Sequence, residues 1–177
     1  MSGHEGNGKE MARVRVATGL GVFEVIATSR GLRAVRPLAP AAEAPPPAPA
    51  EDGAGHAQAG AEFLRRYAAG EPASYEGPLD LPAPAFQLAV WERLRAIPHG
   101  TTTTYGALAD DLGMPGEARA VGAAIAANPL CIVVPCHRVV AADGSLRGFA
   151  WGLDLKRRLL AHEGCGALPL FAAGGHG

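Results

Sequence analysis

The hydrophobic pattern of this chain opens as strand-like alternation and turns helical further on. Arg13-Val14-Arg15-Val16 alternates cations with valines, and Val22-Phe23-Glu24-Val25-Ile26 is rich in β-formers. Gly19-Leu20-Gly21 and Ser29-Arg30-Gly31 punctuate the run as turns. Val14 to Leu38 is therefore predicted to be a three-stranded antiparallel meander. Residues 39–55 are Ala, Pro and Gly with a few acids, which predicts a linker loop. Apolar positions then recur at helical spacing. Ala57, Ala61 and Leu64 predict a helix over His56–Tyr67. Phe86, Val90, Leu94 and Ile97 predict another, which begins after Pro82 and Pro84 and ends at Pro98-His99-Gly100. Thr104 is the expected N-cap of a helix over Tyr105–Leu112. Gly113-Met114-Pro115-Gly116 makes a turn, and a second helix covers Glu117–Ala127, a helix-turn-helix layout. The β-branched run in Cys131–Val134 predicts a strand, Asp143-Gly144 a turn, and Leu153–Glu163 a last helix.

Composition adds limits. The 177 residues, 48% apolar and 19% charged, suit one ordinary domain or two small ones. No apolar run approaches the length of a membrane span. Met1-Ser2-Gly3-His4-Glu5 lacks the layout of a secretory signal, and no metal pattern links Cys131, Cys136 and Cys165. A reducing cytoplasm is the expected location. Residues 1–83 carry eight Lys/Arg and ten Asp/Glu, a charge of −2; residues 84–177 carry eight and seven, a charge of +1. A strongly basic nucleic-acid domain is excluded, so any DNA contact must be local.

The candidate chemistry starts at Pro135-Cys136-His137-Arg138-Val139-Val140, where a thiol adjoins an imidazole. A thiol attacks as thiolate, which needs a proton acceptor nearby. Neighbours in an extended chain point apart, so a water between Cys136 and His137 is expected rather than direct contact. The second helix of the helix-turn-helix is almost bare: Ala118, Ala120, Gly122, Ala123, Ala124, Ala126 and Ala127, with Arg119 as its long cation. A dressed helix is about 10–12 Å across, whereas the B-DNA minor groove is about 6 Å wide. Only a thin helix could press into that groove once it is widened; close internal packing is the alternative use of such a helix. Leu155, Leu159 and Glu163 share one helical stripe, so Glu163 faces inward and needs a partner. Asn128 follows a helix end, where orphan carbonyls need donors. Cys131 is expected in the core and Cys165 exposed. His4, His56, His99 and His176 are expected at the surface, and His162 at a helix end.

Six separated blocks carry a resemblance. They are Phe86 to Gly100, Thr104-Tyr105-Gly106, Ala118-Arg119-Ala120-Val121-Gly122, Asn128-Pro129 with Pro135 to Val139, Gly148 to Leu153 with Lys156, and Leu159 to Gly164. In this order they resemble the O6-alkylguanine-DNA alkyltransferases. The resemblance covers roughly 60–164, most specifically 86–163. It implies an α/β (α+β) fold: a small ribonuclease-H-like N-terminal domain over 11–82, with the 39–55 linker inside it, and a mostly helical catalytic and DNA-binding domain over 83–166. A disordered 1–10 and a flexible tail 167–177 complete the expected organisation, leaving no room for a further regulatory domain.

The resemblance also implies a function: single-turnover transfer to Cys136 of the alkyl group from O6-alkylguanine in DNA, with O4-alkylthymine as a second candidate substrate. His137, Glu163, Tyr105 and Asn128 would be the other catalytic residues. Arg119, Tyr105, Ala118, Gly122 and Ala126 would meet DNA in the minor groove, with Arg119 filling the gap of a flipped base. Val139, Phe149, Ala150, Trp151 and Arg138 would line the base pocket. Partner DNA, a monomeric state, no membrane, no cofactor and no metal are implied with it. Phe149 stands where relatives commonly have tyrosine, and Trp151 where some have glycine. Two other readings stay open at this point. A damage-binding relative would lack the nucleophile, and a Cys-His hydrolase would have no use for the helix-turn-helix.

Overall fold

The computed structural model describes residues 11–39 and 51–165. The expected disordered 1–10, most of the 39–55 linker, and the expected tail 167–177 lie outside these residues. The described residues form a mixed α/β fold with five α-helices and two small sheets. Strands β1 (Ala12–Thr18), β2 (Gly21–Thr28) and β3 (Gly31–Leu38) make the predicted antiparallel meander in the order β1-β2-β3. Its register sets Val14 against Val25 and Val25 against Val35. Helix α1 (Ala54–Ala68) lies on that face and buries Ala57, Gly60, Ala61, Phe63, Leu64 and Tyr67. Gly60 sets the separation of helix and sheet. A Cβ there would stand 2.9 Å from both Leu32 Cδ2 and Val25 Cγ1, closer than the core allows. Burial of each large side chain here contributes about 1.5–3 kcal/mol.

The free edge of β3 is where this half meets the rest. Leu32 N–H donates to Pro78 O and Asp80 N–H to Leu32 O, which pairs the start of the strand with the 78–80 segment. Further along, Val35 N–H donates to Pro129 O at 3.0 Å, and Cys131 N–H to Val35 O at 3.1 Å. The sheet edge thus grips the chain just before Cys136 and satisfies backbone groups that would otherwise be orphaned.

Helix α2 (Ala85–Arg95) buries Val90, Trp91 and Leu94, and the Trp91 indole donates to Ala124 O at 2.8 Å. Strand β4 (Thr103–Thr104) runs straight into α3 (Tyr105–Asp111). Thr104 caps α3 as expected, its hydroxyl accepting from Ala107 N. Helix α4 (Ala118–Ala126) turns Val121, Ala124 and Ile125 inward. Strand β5 (Val139–Val140) pairs in parallel with β4, Thr103 to Val139 and Thr104 to Val140, and α5 (Leu153–His162) closes the described chain. The short β4–β5 pair was not foreseen. It ties the start of α3, with Tyr105, to the residues that follow Cys136.

Two expectations are corrected. Cys131–Val134 is a buried turn and no strand: Val133 N–H donates to Cys131 O, Val134 N–H to Leu130 O, and Ile132 has φ 70. A β-branched residue in the left-handed region is strained. Burial on every side, together with side-chain donors described below, outweighs the strand propensity of the run. Cys165 is buried and not exposed.

Candidate active site

Cys136 opens a three-residue 3-10 turn, Cys136–Arg138. Pro135 before it has φ −79 and ψ 63, and Cys136 N–H donates to Val134 O across it, an inverse γ-turn. The chain is therefore not extended here, as the sequence reading assumed. With three residues per turn, the side chains of Cys136, His137 and Arg138 fan out in different directions.

Asn128 organises the loop. Its amide nitrogen lies 2.9 Å from Val134 O, 3.2 Å from Cys136 Sγ and 3.4 Å from Leu130 O. Its Oδ1 accepts from Leu130 N at 2.9 Å. Two protons serve the first two acceptors, and every polar atom of this buried amide is used. Asn128→Ala would leave the Val134 carbonyl and the Leu130 amide without these partners, at about 1–3 kcal/mol each. The expected result is a loss of about 2–3 kcal/mol in urea unfolding, and Asn128→Asp should lose at least as much, because its buried carboxylate would face the Val134 carbonyl and the Cys136 sulfur with no proton to donate. An Asn128→Ala chain as stable as the parent would remove this role.

Glu163 caps α5 and is buried. Its Oε1 accepts from His137 Nε2 at 2.6 Å, from Tyr67 Oη at 2.7 Å and from an Arg138 terminal nitrogen at 3.0 Å. Its Oε2 accepts from Arg138 Nε at 2.8 Å and Gly100 N at 3.1 Å. Arg138 also reaches Ile97 O at 2.6 Å. Sequence reasoning put Arg138 in the base pocket, but its guanidinium is committed to Glu163. With Nε2–H turned to the carboxylate, His137 keeps Nδ1 as a bare acceptor. That atom is buried and has no hydrogen-bond partner among the described residues.

Ionisation follows from these contacts. Burial alone would raise Glu163, but hydrogen bonds from His137, Arg138 and Tyr67 win, and its carboxyl stays far below the usual range. Burial lowers His137 below 6.5, helped by Arg138 and Lys156 and opposed by Glu163, so the imidazole is neutral at rest. Both groups have folded pKa values below their unfolded ones. Each therefore contributes stability above its unfolded pKa that is lost as pH falls. The expected thermal midpoint declines below pH 6.5 as His137 is forced to charge, and more steeply below pH 4.5 as Glu163 is protonated. His137→Gln should flatten the first decline. Calorimetry across that range would contradict this if the midpoint stayed level.

The Cys136 thiol is only 3% exposed. Burial pushes it up to about 11, against Asn128 and Lys156, which pull it down. At rest it is a thiol and not the free thiolate. Cys131, also buried, is pushed well above its ordinary value by burial and is inert. A cavity of about 220 Å³ borders Pro135 and Arg138 without touching Cys136.

Tyr105 stands between α4 and the 147–151 segment. A Cβ on Gly122 would lie 3.6 Å from its ring, and one on Gly148 would lie 3.7 Å from its hydroxyl. Its hydroxyl donates to Arg147 O at 2.9 Å, and burial and Cys136 raise its pKa. On α4, Arg119 and Ala126 are exposed, while Ala118 and Gly122 are half-buried. Phe149 and Trp151 meet edge to face with centroids 5.4 Å apart, Ala150 is exposed, and Val139 is buried. The structure thus makes two networks, Asn128 with Cys136 and Glu163 with His137 and Arg138, which adjoin at the Cys136–His137 peptide, with Tyr105 and Val139 nearby. Arg119 and Ala126 lie apart on the α4 surface.

Sequence reasoning missed Tyr67, Gly100 N and Lys156. Tyr67 lies 96 positions from Glu163, and no local signal links them. His99, expected at the surface, has a buried Nε2 and its ring centroid 6.1 Å from that of Tyr67. Lys156 did leave a trace, since Lys156, Leu160 and Glu163 fall on one helical face.

The model for the 6-O-methylguanine DNA methyltransferase DNA-binding domain matches residues 85–165. A methylated-DNA–protein-cysteine methyltransferase of Mycolicibacterium paratuberculosis is 52% identical over 102 residues, which are 58% of this chain and 62% of that protein. The matched region spans about three fifths of the length of such curated relatives. A crystal structure of Mycobacterium tuberculosis O6-methylguanine methyltransferase superposes with TM-score 0.74 at 35% identity, covering 92% of this chain and 99% of that one. A structure of Mycobacterium tuberculosis OGT in complex with DNA gives TM-score 0.73 at 36% identity, covering 86% and 93%.

Proposed function

The chain belongs to the O6-methylguanine-DNA methyltransferase family, and from that premise we propose that it repairs O6-alkylguanine in double-stranded DNA by one irreversible transfer of the alkyl group to Cys136. The observation that carries this reading is the Asn128–Cys136 contact in the loop that follows α4, with the His137–Glu163 pair starting at the next residue. A Cys-His hydrolase would have no use for a thin, small-residue helix at that place.

In this reading α3, the turn and α4 act as a helix-turn-helix that offers α4 to the minor groove, and Arg119 fills the space of the flipped nucleotide. Residues 11–82 are the ribonuclease-H-like domain and 83–166 the catalytic one. A water at the unpartnered Nδ1 of His137 links it to Sγ. The thiol proton passes through it to the imidazole, and Glu163 stabilises the cation that forms. The thiolate attacks the alkyl carbon; the S–C bond forms and the C–O6 bond breaks. Tyr105 leaves Arg147 O and gives its proton to N3 of the guanine, so the base departs neutral. Asn128 holds the loop and the sulfur. The thioether has no good leaving group, so each molecule acts once as a monomer. Three free cysteines among the described residues suit a reducing cytoplasm.

The test is DNA carrying O6-methylguanine followed by peptide mass mapping. One methyl on Cys136 in one-to-one yield is expected. Continued turnover, or label at another residue, would contradict the proposal. Trp151 is half-buried against Phe149, so it narrows the base pocket. Methyl should transfer well and benzyl poorly, and Trp151→Gly should raise the benzyl rate relative to methyl. Equal methyl and benzyl rates in the parent chain would remove this idea.

A further inference from the structure

Lys156 carries a charge that the fold buries without an anion. Its side chain is fully buried on α5, and among the described residues it makes no ion pair with a carboxylate. Its Nζ donates to Val139 O at 2.7 Å and to Arg147 O at 2.9 Å, and lies 5.9 Å from the centroid of the Phe149 ring. A methionine would fill the same space without the desolvation cost of an ammonium. Some other role must favour the charge.

Resting on the reading above, we propose that Lys156 is a positioning residue for the transfer: its ammonium ties together the two backbone segments flanking the base site, and its charge stabilises the Cys136 thiolate as it forms. The first part follows from where its donors go. Val139 O belongs to the strand after the Cys136 turn, and Arg147 O opens the 147–151 segment. Arg147 O also accepts from Tyr105 Oη. When Tyr105 turns its proton to the base, Lys156 keeps hold of that carbonyl, and the segment stays in place. A carbonyl has two lone pairs, so Val139 O retains one for a base amine.

The second part follows from the charges around the sulfur. Lys156 is the cation that lowers the Cys136 pKa. The other titratable groups facing Lys156 are His137, neutral at rest, and the Tyr105 phenol, uncharged at neutral pH. Arg147 points its guanidinium outward to Asp143, and Arg138 is bound to Glu163. Burial drives Lys156 down to about 8, with Cys136 opposing. Below that pH a thiolate forms beside a cation, and above it the cation is gone.

The test uses methyl iodide and no DNA, reading S-methylation of Cys136 by peptide mass. Its failure is therefore separate from failure on O6-methylguanine DNA. In the parent chain the rate should rise with pH and level off near about 8. Lys156→Met should stay folded with a thermal midpoint no lower than the parent, react about tenfold more slowly near neutral pH, and keep climbing past the break. Lys156→Arg keeps the charge at every pH of the assay, so it should restore the rate near neutral pH and show no break near about 8. A Lys156→Met chain with the parent rate and the parent break would overturn the proposal. If that variant does not fold, the parent profile decides alone: a levelling near about 8 supports the proposal, and a climb through it without a break overturns it.

Discussion

A Cys136→Ala chain is expected to accept no methyl group from O6-methylguanine DNA while binding that DNA as the parent does. In the proposed transfer the sulfur is the atom that forms the new bond, and neither other thiol is placed to replace it. Cys131 is fully buried and pushed well above its ordinary pKa by burial. Cys165 is 8% exposed, and burial and Glu163 raise its pKa. Cys136→Ser fits the same space, but an alcohol is far harder to deprotonate, so it too should show no transfer above background. Folding should change little. The thiol contributes one sulfur contact to Asn128, whose amide keeps its shorter bond to Val134 O. The measurement pairs mass mapping with fluorescence anisotropy on damaged DNA. Residual methyl uptake, at any residue, would refute the assignment. A simultaneous loss of DNA affinity would mean that the substitution had disturbed the loop and not only the chemistry.

Glu163→Gln should produce the largest loss of stability. The carboxylate is buried and takes five donors from four residues, Tyr67, Gly100, His137 and Arg138. Glutamine keeps the shape but offers one carbonyl and a donor where donors already converge. Arg138 is then left as an uncompensated buried charge. Breaking a buried pair in this way costs about 3–5 kcal/mol, which for a chain of this size lowers the thermal midpoint by roughly 10 °C. Adding Arg138→Met removes the stranded charge and should recover part of the loss, because an apolar group of similar size can replace a buried ion. The single variant should also transfer methyl more slowly, since nothing would then stabilise a protonated His137. A midpoint within a degree of the parent would show that the network adds little to folding.

Local signals foretold the meander, the cap at Thr104 and all five helices, because each element follows from its own residues. Turn glycines, apolar spacing and a hydroxyl before Tyr105 act over a few positions. Pro135-Cys136-His137 and the inward stripe ending in Glu163 pointed to the site in the same way. The strand reading of Cys131–Val134 failed because propensity describes an isolated segment. Here the β3 edge and the Asn128 amide satisfy the backbone in a turn instead.

Order along the chain thus settled which groups exist: one thiol, one imidazole, one acid, one thin helix with a cation at its start. Folding alone decided their company and their protonation. Arg138 went to the acid, Tyr67 joined it from a distant helix, and Lys156 came to bridge Val139 O and Arg147 O. The reason is physical. Element-forming forces are short in range and legible residue by residue, whereas the pKa of a buried group depends on lost water and on partners brought together only when the core closes.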